Sequence, residues 1–444
     1  MNDYIKQIQE PTIKLEPIEI ESTGNNSDDK LITSGLGFTP FLWYSGYQIQ
    51  ENNISYLKLY HNGMLPEVNI IFMDEYDIIE DEGFPENDTP FEIFLNSGSD
   101  HIKSIHIRFK IKSFKKVSKE EKKYNMTGII DLTDLYISFY RAFRNKTSFE
   151  TLKDICTQLG LGFNSNITDT KDSMTWIQRS ITLDFMRDII RRSYISDDSF
   201  MIGYIDFYYC FNYIDIEKEM RRNISNDTNI DSANINSLNN DNVEEQTRLE
   251  LSTDDGLSSS NLYIESYKVL NKTMTNAIDN GFFVRTRYYD TLNKTQLTFN
   301  VDSLTDKDDG KLIIPKGKQN DKEYYDKNFS NNYMGKIDID NVHKNYSYSK
   351  IQNEINLKNI EGLSMDIFLP NLNWSIYRFQ KVRVNIIPKS PSPTKNEVIW
   401  KLSGEWLISG IDYTWKNNKM SQEVNILRRS LGKNPDEKLL INNI

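Results

Sequence analysis

Ile105-His106-Ile107-Arg108-Phe109-Lys110-Ile111 alternates without a break, with four apolar side chains facing one way and three polar ones the other. Successive side chains of a strand point to opposite faces, so this period of two predicts a half-buried antiparallel strand. Working outward, Ile54 to Tyr60, Val68 to Met73 and Phe91 to Leu95 are runs of similar length, and Asn62-Gly63 marks a turn between the first two. The same texture returns far along the chain. Val382-Arg383-Val384-Asn385-Ile386 alternates strictly, and Glu405 to Trp415 and Ser421 to Arg428 flank Lys416-Asn417-Asn418-Lys419, a hairpin whose turn residues tolerate positive φ. Phe282 to Tyr289 with Gln296 to Val301 predicts another hairpin, and Gly362 to Leu369 a further strand.

Between these β stretches the pattern changes. Asp134 to Arg144 reads as a short helix. Thr147 and Glu150 have capping-box spacing ahead of a longer helix with Phe149, Leu152, Ile155, Cys156 and Leu159 on one face and Gly160 placed to end it. A second helix is predicted from about Leu183 to Arg192, with Phe185, Met186, Ile189 and Ile190 inward and Asp184, Arg187, Asp188 and Arg191 outward. Tyr194 to Tyr213, rich in Phe and Tyr, predicts two strands under those helices.

The chain has 444 residues, 25 Tyr, 22 Phe and a net charge of −11. Its length predicts about three domains, and its apolar volume is carried by aromatics, which suit pleated sheets and interfaces. The acidic balance argues against specific nucleic-acid binding and anionic lipid, which need clustered Lys and Arg. No run of 18 apolar residues occurs, so membrane insertion is not expected, and the first residues lack a basic and apolar leader pattern, which predicts no export signal. Cys156 and Cys210 match no metal spacing and are expected as buried free thiols.

Few residues form a pattern that supports chemistry. His61, His101, His106 and His343 are scattered, with His61 expected at a turn and His106 on a polar strand face; no metal-ligand spacing, nucleophile elbow or phosphate loop appears. Leu159-Gly160-Leu161-Gly162-Phe163 follows a helix where a dinucleotide fingerprint needs a strand, and reads as a C-cap leading into a strand. Asp306, Asp308, Asp309 and Gly310 lack the spacing of a calcium loop and read as a solvated turn; Asp197-Asp198 reads as a turn. The expectation is therefore no catalytic residue, no metal and no cofactor. Trp374, Trp400, Trp406 and Trp415 cluster in the terminal strands and admit two readings, barrel core or anchors of a subunit interface.

Ser173 to Gln178, Asp184 to Phe200 and Tyr208 to Tyr213 resemble the insert of the central baseplate hub protein of T4-like contractile phage tails, a family related to late control proteins and type VI secretion spike hubs. Leu402-Ser-Gly-Glu-Trp-Leu-Ile-Ser-Gly-Ile-Asp-Tyr-Thr-Trp with Gln422-Glu-Val-Asn-Ile-Leu-Arg-Arg resembles the closing hairpin of that family's second barrel, and Leu65-Pro66 before Val68 to Phe72 and Asp74 its first. The likeness covers most of residues 36 to 430. It implies two tube-forming barrels per chain and a homotrimer of six quasi-equivalent barrels. That ring would join a three-fold central spike to a six-fold tail tube or tube-initiator protein, in contact with baseplate wedge proteins and the tape measure protein, around a channel for DNA passage. Such a protein works in the virion tail baseplate, assembled in the host cytoplasm.

The expected fold class is mainly β with an α/β insert, α+β, with two antiparallel β-barrel domains as separately closed sheets. The expected domains are an extended arm over 1–32, a first barrel over 33–130, an α/β insert over 131–222 and an acidic linker over 223–260, where eight acids face the single Arg248. A second barrel follows over 261–430, with a polar excursion at about 306–351, and a tail over 431–444. The rival readings are a tail-associated cell-wall-degrading enzyme, which a paired-carboxylate site would serve, and a receptor-binding tail protein; a fibre would show repeats and more than 20 Gly.

Overall fold

The computed structural model describes residues 5–15, 39–75, 77–81, 83–86, 89–96, 103–117, 122–197, 199–221, 250–253, 263–271, 283–302, 331–338, 341–370, 372, 376–387, 399 and 401–429. Strand β1 (Lys6–Gln9) precedes a first β set: β2 (Thr39–Tyr44), β3 (Tyr47–Ile49), β4 (Ile54–His61), β5 (Glu67–Met73), the one-turn α1 (Ile78–Asp81), β6 (Pro90–Asn96), β7 (Ile105–Lys116) and β8 (Lys123–Ile130). The middle holds β9 (Arg141–Lys146), α2 (Ser148–Leu159), β10 (Gly162–Ser165), β11 (Met174–Gln178), α3 (Thr182–Arg192), β12 (Met201–Ile205), β13 (Cys210–Asp215) and α4 (Ile216–Arg221). The last part holds β14 (Glu250–Ser252), β15 (Ser266–Asn271), β16 (Phe283–Asp290), β17 (Thr295–Asp302), β18 (Asn331–Ile337), α5 (Tyr346–Ile360), β19 (Leu363–Leu369), β20 (Lys381–Asn385), β21 (Gly404–Lys416) and β22 (Lys419–Arg428). The chain is mainly β with an α/β insert, as its alternating runs predict.

The two β sets do not form separate sheets. They share one 13-stranded sheet in the order β15-β19-β22-β21-β4-β5-β8-β7-β6-β2-β3, with β20 on β21 and β14 on β20. This corrects the expectation of two separately closed sheets, and its cause is β21. Gly404 to Leu407 pair with β20, whereas Ile411 to Lys416 pair with His61 to Tyr56 of β4. A register shift between Ile408 and Gly410 lets one long strand serve both neighbours while β22 holds its other edge. At the β21–β22 turn Asn417 and Asn418 have φ of 53° and 55°, which matches the right-handed twist of the flanking strands.

One face of this wall is predominantly apolar, with His61 and Gln422 as buried polar exceptions. Leu57, Leu59, Ile70, Phe72, Ile93, Ile107, Phe109, Met126, Ile367, Val382, Val424 and Ile426 are buried in a single core that also takes in the insert's helices. Each such side chain contributes about 1.5–3 kcal/mol by leaving water, so the alternation fixes register across both sets.

The insert is a four-stranded sheet, β1-β10-β13-β12, with α2 and α3 packed near it and a small β9–β11 pair beside them. Helix α2 starts at Thr147 with a complete capping box to Glu150 and ends at Gly160, whose φ of 71° is the left-handed conformation that glycine adopts at no steric cost. Arg141 to Arg144 lie in a strand, not in the helix expected over Asp134 to Arg144, because their outward side chains alternate with Phe143 facing the core. Residues 6–9 of the expected arm pair with β10 instead of standing free. The acidic linker lies outside the described residues except for 250–253, where β14 adds a parallel strand to β20. Within the polar excursion, which includes the undescribed Asp306, Asp308, Asp309 and Gly310, the structure places β18 and the start of α5.

Candidate assembly junction

A second apolar cluster seats the insert on the second β set: Ile5, Phe200, Tyr204, Ile214, Ile216 and Met220 pack with Ile360, Phe379, Leu407 and Leu427. At this meeting point lies Arg378, buried in the turn before β20. Its Nε donates to the Ser409 carbonyl at the β21 bulge (2.8 Å), Nη1 to the Gly63 carbonyl (2.6 Å) and Nη2 to the Asn62 carbonyl (3.1 Å). The guanidinium lies 4.3 Å from the centre of the Tyr204 ring on β12, and the Tyr204 hydroxyl donates to the Arg378 carbonyl. One planar fork therefore ties the β4–β5 turn, the β21 bulge and the insert together, a geometry that Lys cannot supply. Burial lowers the Arg378 pKa to about 10, so the group stays charged at neutral pH.

His61, at the end of β4, packs edge-on to Tyr204 and against Phe207. Burial first, and then the nearby Arg378 charge, push its pKa well below that of a free imidazole. His61 is thus a neutral core residue of the junction, more deeply placed than its turn position in the sequence implied.

The wall's second face carries charge in cross-strand pairs. Lys58 on β4 meets Asp412 at 3.2 Å and Glu423 at 2.5 Å, which spans β4, β21 and β22. On the first set, Glu92 accepts from Arg108 at 2.5 Å and contacts His106 at 2.7 Å, while Lys112 lies 3.4 Å from Glu67. The hydrogen bond to His106 and the Arg108 guanidinium hold the Glu92 carboxyl below its usual range against the opposing effect of burial. On this face the paired charges stand among half-buried apolar side chains, Phe41, Trp43, Ile71 and Phe94.

Of the tryptophans singled out from the sequence, Trp406 is buried with its indole N–H on the Leu402 carbonyl and Arg428 over its ring, and Trp415 is buried in the main core. Trp374 and Trp400, like His101 and Asp198, lie outside the described residues. Cys156 and Cys210 are buried free thiols, both raised in pKa chiefly by burial. His343 packs against Trp176 in the insert. Among the described residues no group of three or more His, Cys, Asp or Glu is arranged to hold a metal ion, and no helix is long and apolar enough to cross a membrane. Arg378 itself has no signal in the sequence, because its three acceptors come from 31 to 316 residues away.

No family model and no curated protein matches the chain. Solved structures do. A tail protein from Neisseria meningitidis aligns at a TM-score of 0.50 and 8% identity over 88% of this chain and 97% of its own. The 43 kDa tail protein of a Shewanella oneidensis prophage aligns at 0.47 and 9% identity over 88% and 97%. An Escherichia coli type VI secretion component, described as structurally similar to T4 bacteriophage tail proteins, aligns at 0.41 and 9% identity over 86% and 76%. The alignment runs over nearly the full length of the first of these, so the chain has the fold of that tail protein.

Proposed function

We propose that this chain is the structural, non-enzymatic hub of a phage tail baseplate. Three copies form a ring of six quasi-equivalent β units that joins a three-fold central spike to a six-fold tail tube. The observation that supports this reading is the shared sheet: two β sets per chain are already fused side by side through β4 and β21, so each copy brings two neighbouring segments of a wall. Fusion within the chain supplies every second lateral contact of a six-part ring, and three-fold assembly has only the remaining contacts to make. The insert sits on the outside of the ring, and on the wall Lys58 and Arg108 are matched by carboxylates of the same chain. Wedge proteins, a tube-initiator protein and the tape measure protein are the further contacts of such a hub. The test is a native mass measurement on the purified chain with and without its spike partner. A mass of three chains of 52.1 kDa is expected; a monomer at tens of micromolar with the spike protein present overturns the hub.

A further inference from the structure

We propose that the outward face of the β9–β11 sheet is a docking surface for a second tail protein, one that presents an apolar patch rimmed by carboxylates; this rests on the tail reading above. The pair is antiparallel, with Phe143 opposite Trp176, Ala142 opposite Ile177 and Arg141 opposite Gln178. Phe143 and Trp176 face inward and are buried in the core. An antiparallel sheet with one face in the core commonly carries polar side chains on the other.

Here that face carries apolar ones. Tyr140 is 85% exposed and Ile177 51%, and the exposed Ala142 lies between them in register. Tyr136 and Ile137, just before the strand, are also exposed, and the Ile137 carbonyl accepts from the Thr182 N–H (3.1 Å). Among the described residues each strand of the pair has a single strand partner. Contiguous exposed apolar surface of this kind marks interaction sites.

The charge around the patch selects the partner. Residues 139–146 and 174–181 contain four cations, Arg141, Arg144, Lys146 and Arg179, and no Asp or Glu, in a chain of net charge −11. Arg141 is held by Gln178 and lies over Phe139 and Phe143, and Lys146 pairs with Asp154. Arg144 and Arg179 are exposed and make no ion pair among the described residues. Outside the strands, Asp154 on α2 is taken up by Lys146 and Asp184 on α3 by Arg187. Tyr, Ile and Arg with no carboxylate is the composition of a protein interface with an acidic counterpart. Two unpaired arginines around an apolar centre are too few to follow a phosphate backbone.

The test places a single reporter thiol in the patch, as Tyr140→Cys and separately Ile177→Cys, in a chain whose own Cys156 and Cys210 are buried. Maleimide labelling is timed on the purified chain and on intact tail particles. Labelling is expected to be slower in particles by on the order of tenfold or more, as water is shut out of an interface centre. Adding Arg144→Glu with Arg179→Glu is expected to restore the free rate, or to exclude the chain from particles, while its melting temperature stays that of the parent. Equal labelling in both settings overturns the inference. So does protection that nuclease removes, which would mean a nucleic-acid occupant, and protection already present in the chain's own oligomer, which would mean a second copy. Particles that never contain the chain overturn the tail reading itself.

Discussion

On the wall, the face opposite the core carries its charges as cross-strand pairs, Lys58 with Asp412 and Glu423, and Glu92 with Arg108 and His106. On the β9–β11 sheet, the equivalent face carries Tyr140, Ala142 and Ile177 beside two arginines without an ion pair among the described residues. Both sheets obey the same alternation and bury their inner faces in the same core. The difference lies in what the outer positions hold. A face whose charges are matched within the chain gains little from any partner, whereas one that is apolar and singly charged gains on being covered. The first suits a surface that other molecules pass, and the second a surface that one molecule holds.

The comparison breaks most violently at the junction that rigidifies the wall. Arg378→Leu removes three hydrogen bonds from a buried guanidinium and leaves their carbonyls unmatched, so a loss of about 3–5 kcal/mol is expected in chemical unfolding. A loss below about 1 kcal/mol would show that the two β sets hold together without it.

Acid attacks the same place more gently. The folded His61 pKa lies below that of the unfolded residue, so the stability from keeping it neutral is fully present above the unfolded value of 6.5 and is lost as pH falls through the range beneath it. Between pH 7 and pH 5 this amounts to up to about 2 kcal/mol. In unfolding curves His61→Phe should lose less stability over that interval than the parent; equal losses would place the acid sensitivity elsewhere, with His343, whose pKa burial also lowers, the next group to substitute.

Smaller effects sharpen the contrast between the outer faces. Lys58→Ala leaves Asp412 and Glu423 without their shared cation and should cost about 1 kcal/mol, less in high salt. Tyr140→Ser should change stability by no more than about 0.5 kcal/mol, because the ring is almost wholly exposed. If the melting temperature instead fell by several degrees, Tyr140 would be part of the chain's own packing and not of a docking face.

Sequence reading succeeded where the physics is local. The Thr147–Glu150 capping box, the Gly160 stop and the Asn417-Asn418 turn all sit where short-range geometry demands them. It failed where the stabilising partner is remote. Helix α5 carries no apolar stripe because part of its buried face is polar: Ser349 and Asn353 donate to the carbonyls of Arg192, Arg191 and Ser193 at the end of α3. Strand β1 is Lys-Gln-Ile-Gln with no buried residue, held by backbone pairing to β10 and by the Gln9 side chain on the Leu161 carbonyl and the Thr157 hydroxyl. The fusion of the two β sets was equally hidden, since each strand of the β4–β21 seam alternates correctly on its own and nothing in either names the other. Of the junction, the sequence marks His61 as a turn residue and carries no sign of Arg378, whose acceptors are remote.

The most direct test of the account is an image of the purified assembly viewed along its symmetry axis. Six lobes around an open channel, paired by short seams within chains and bearing three outer projections from the inserts, are the predicted result. Three lobes, a closed centre, or inserts directed into the channel would contradict it.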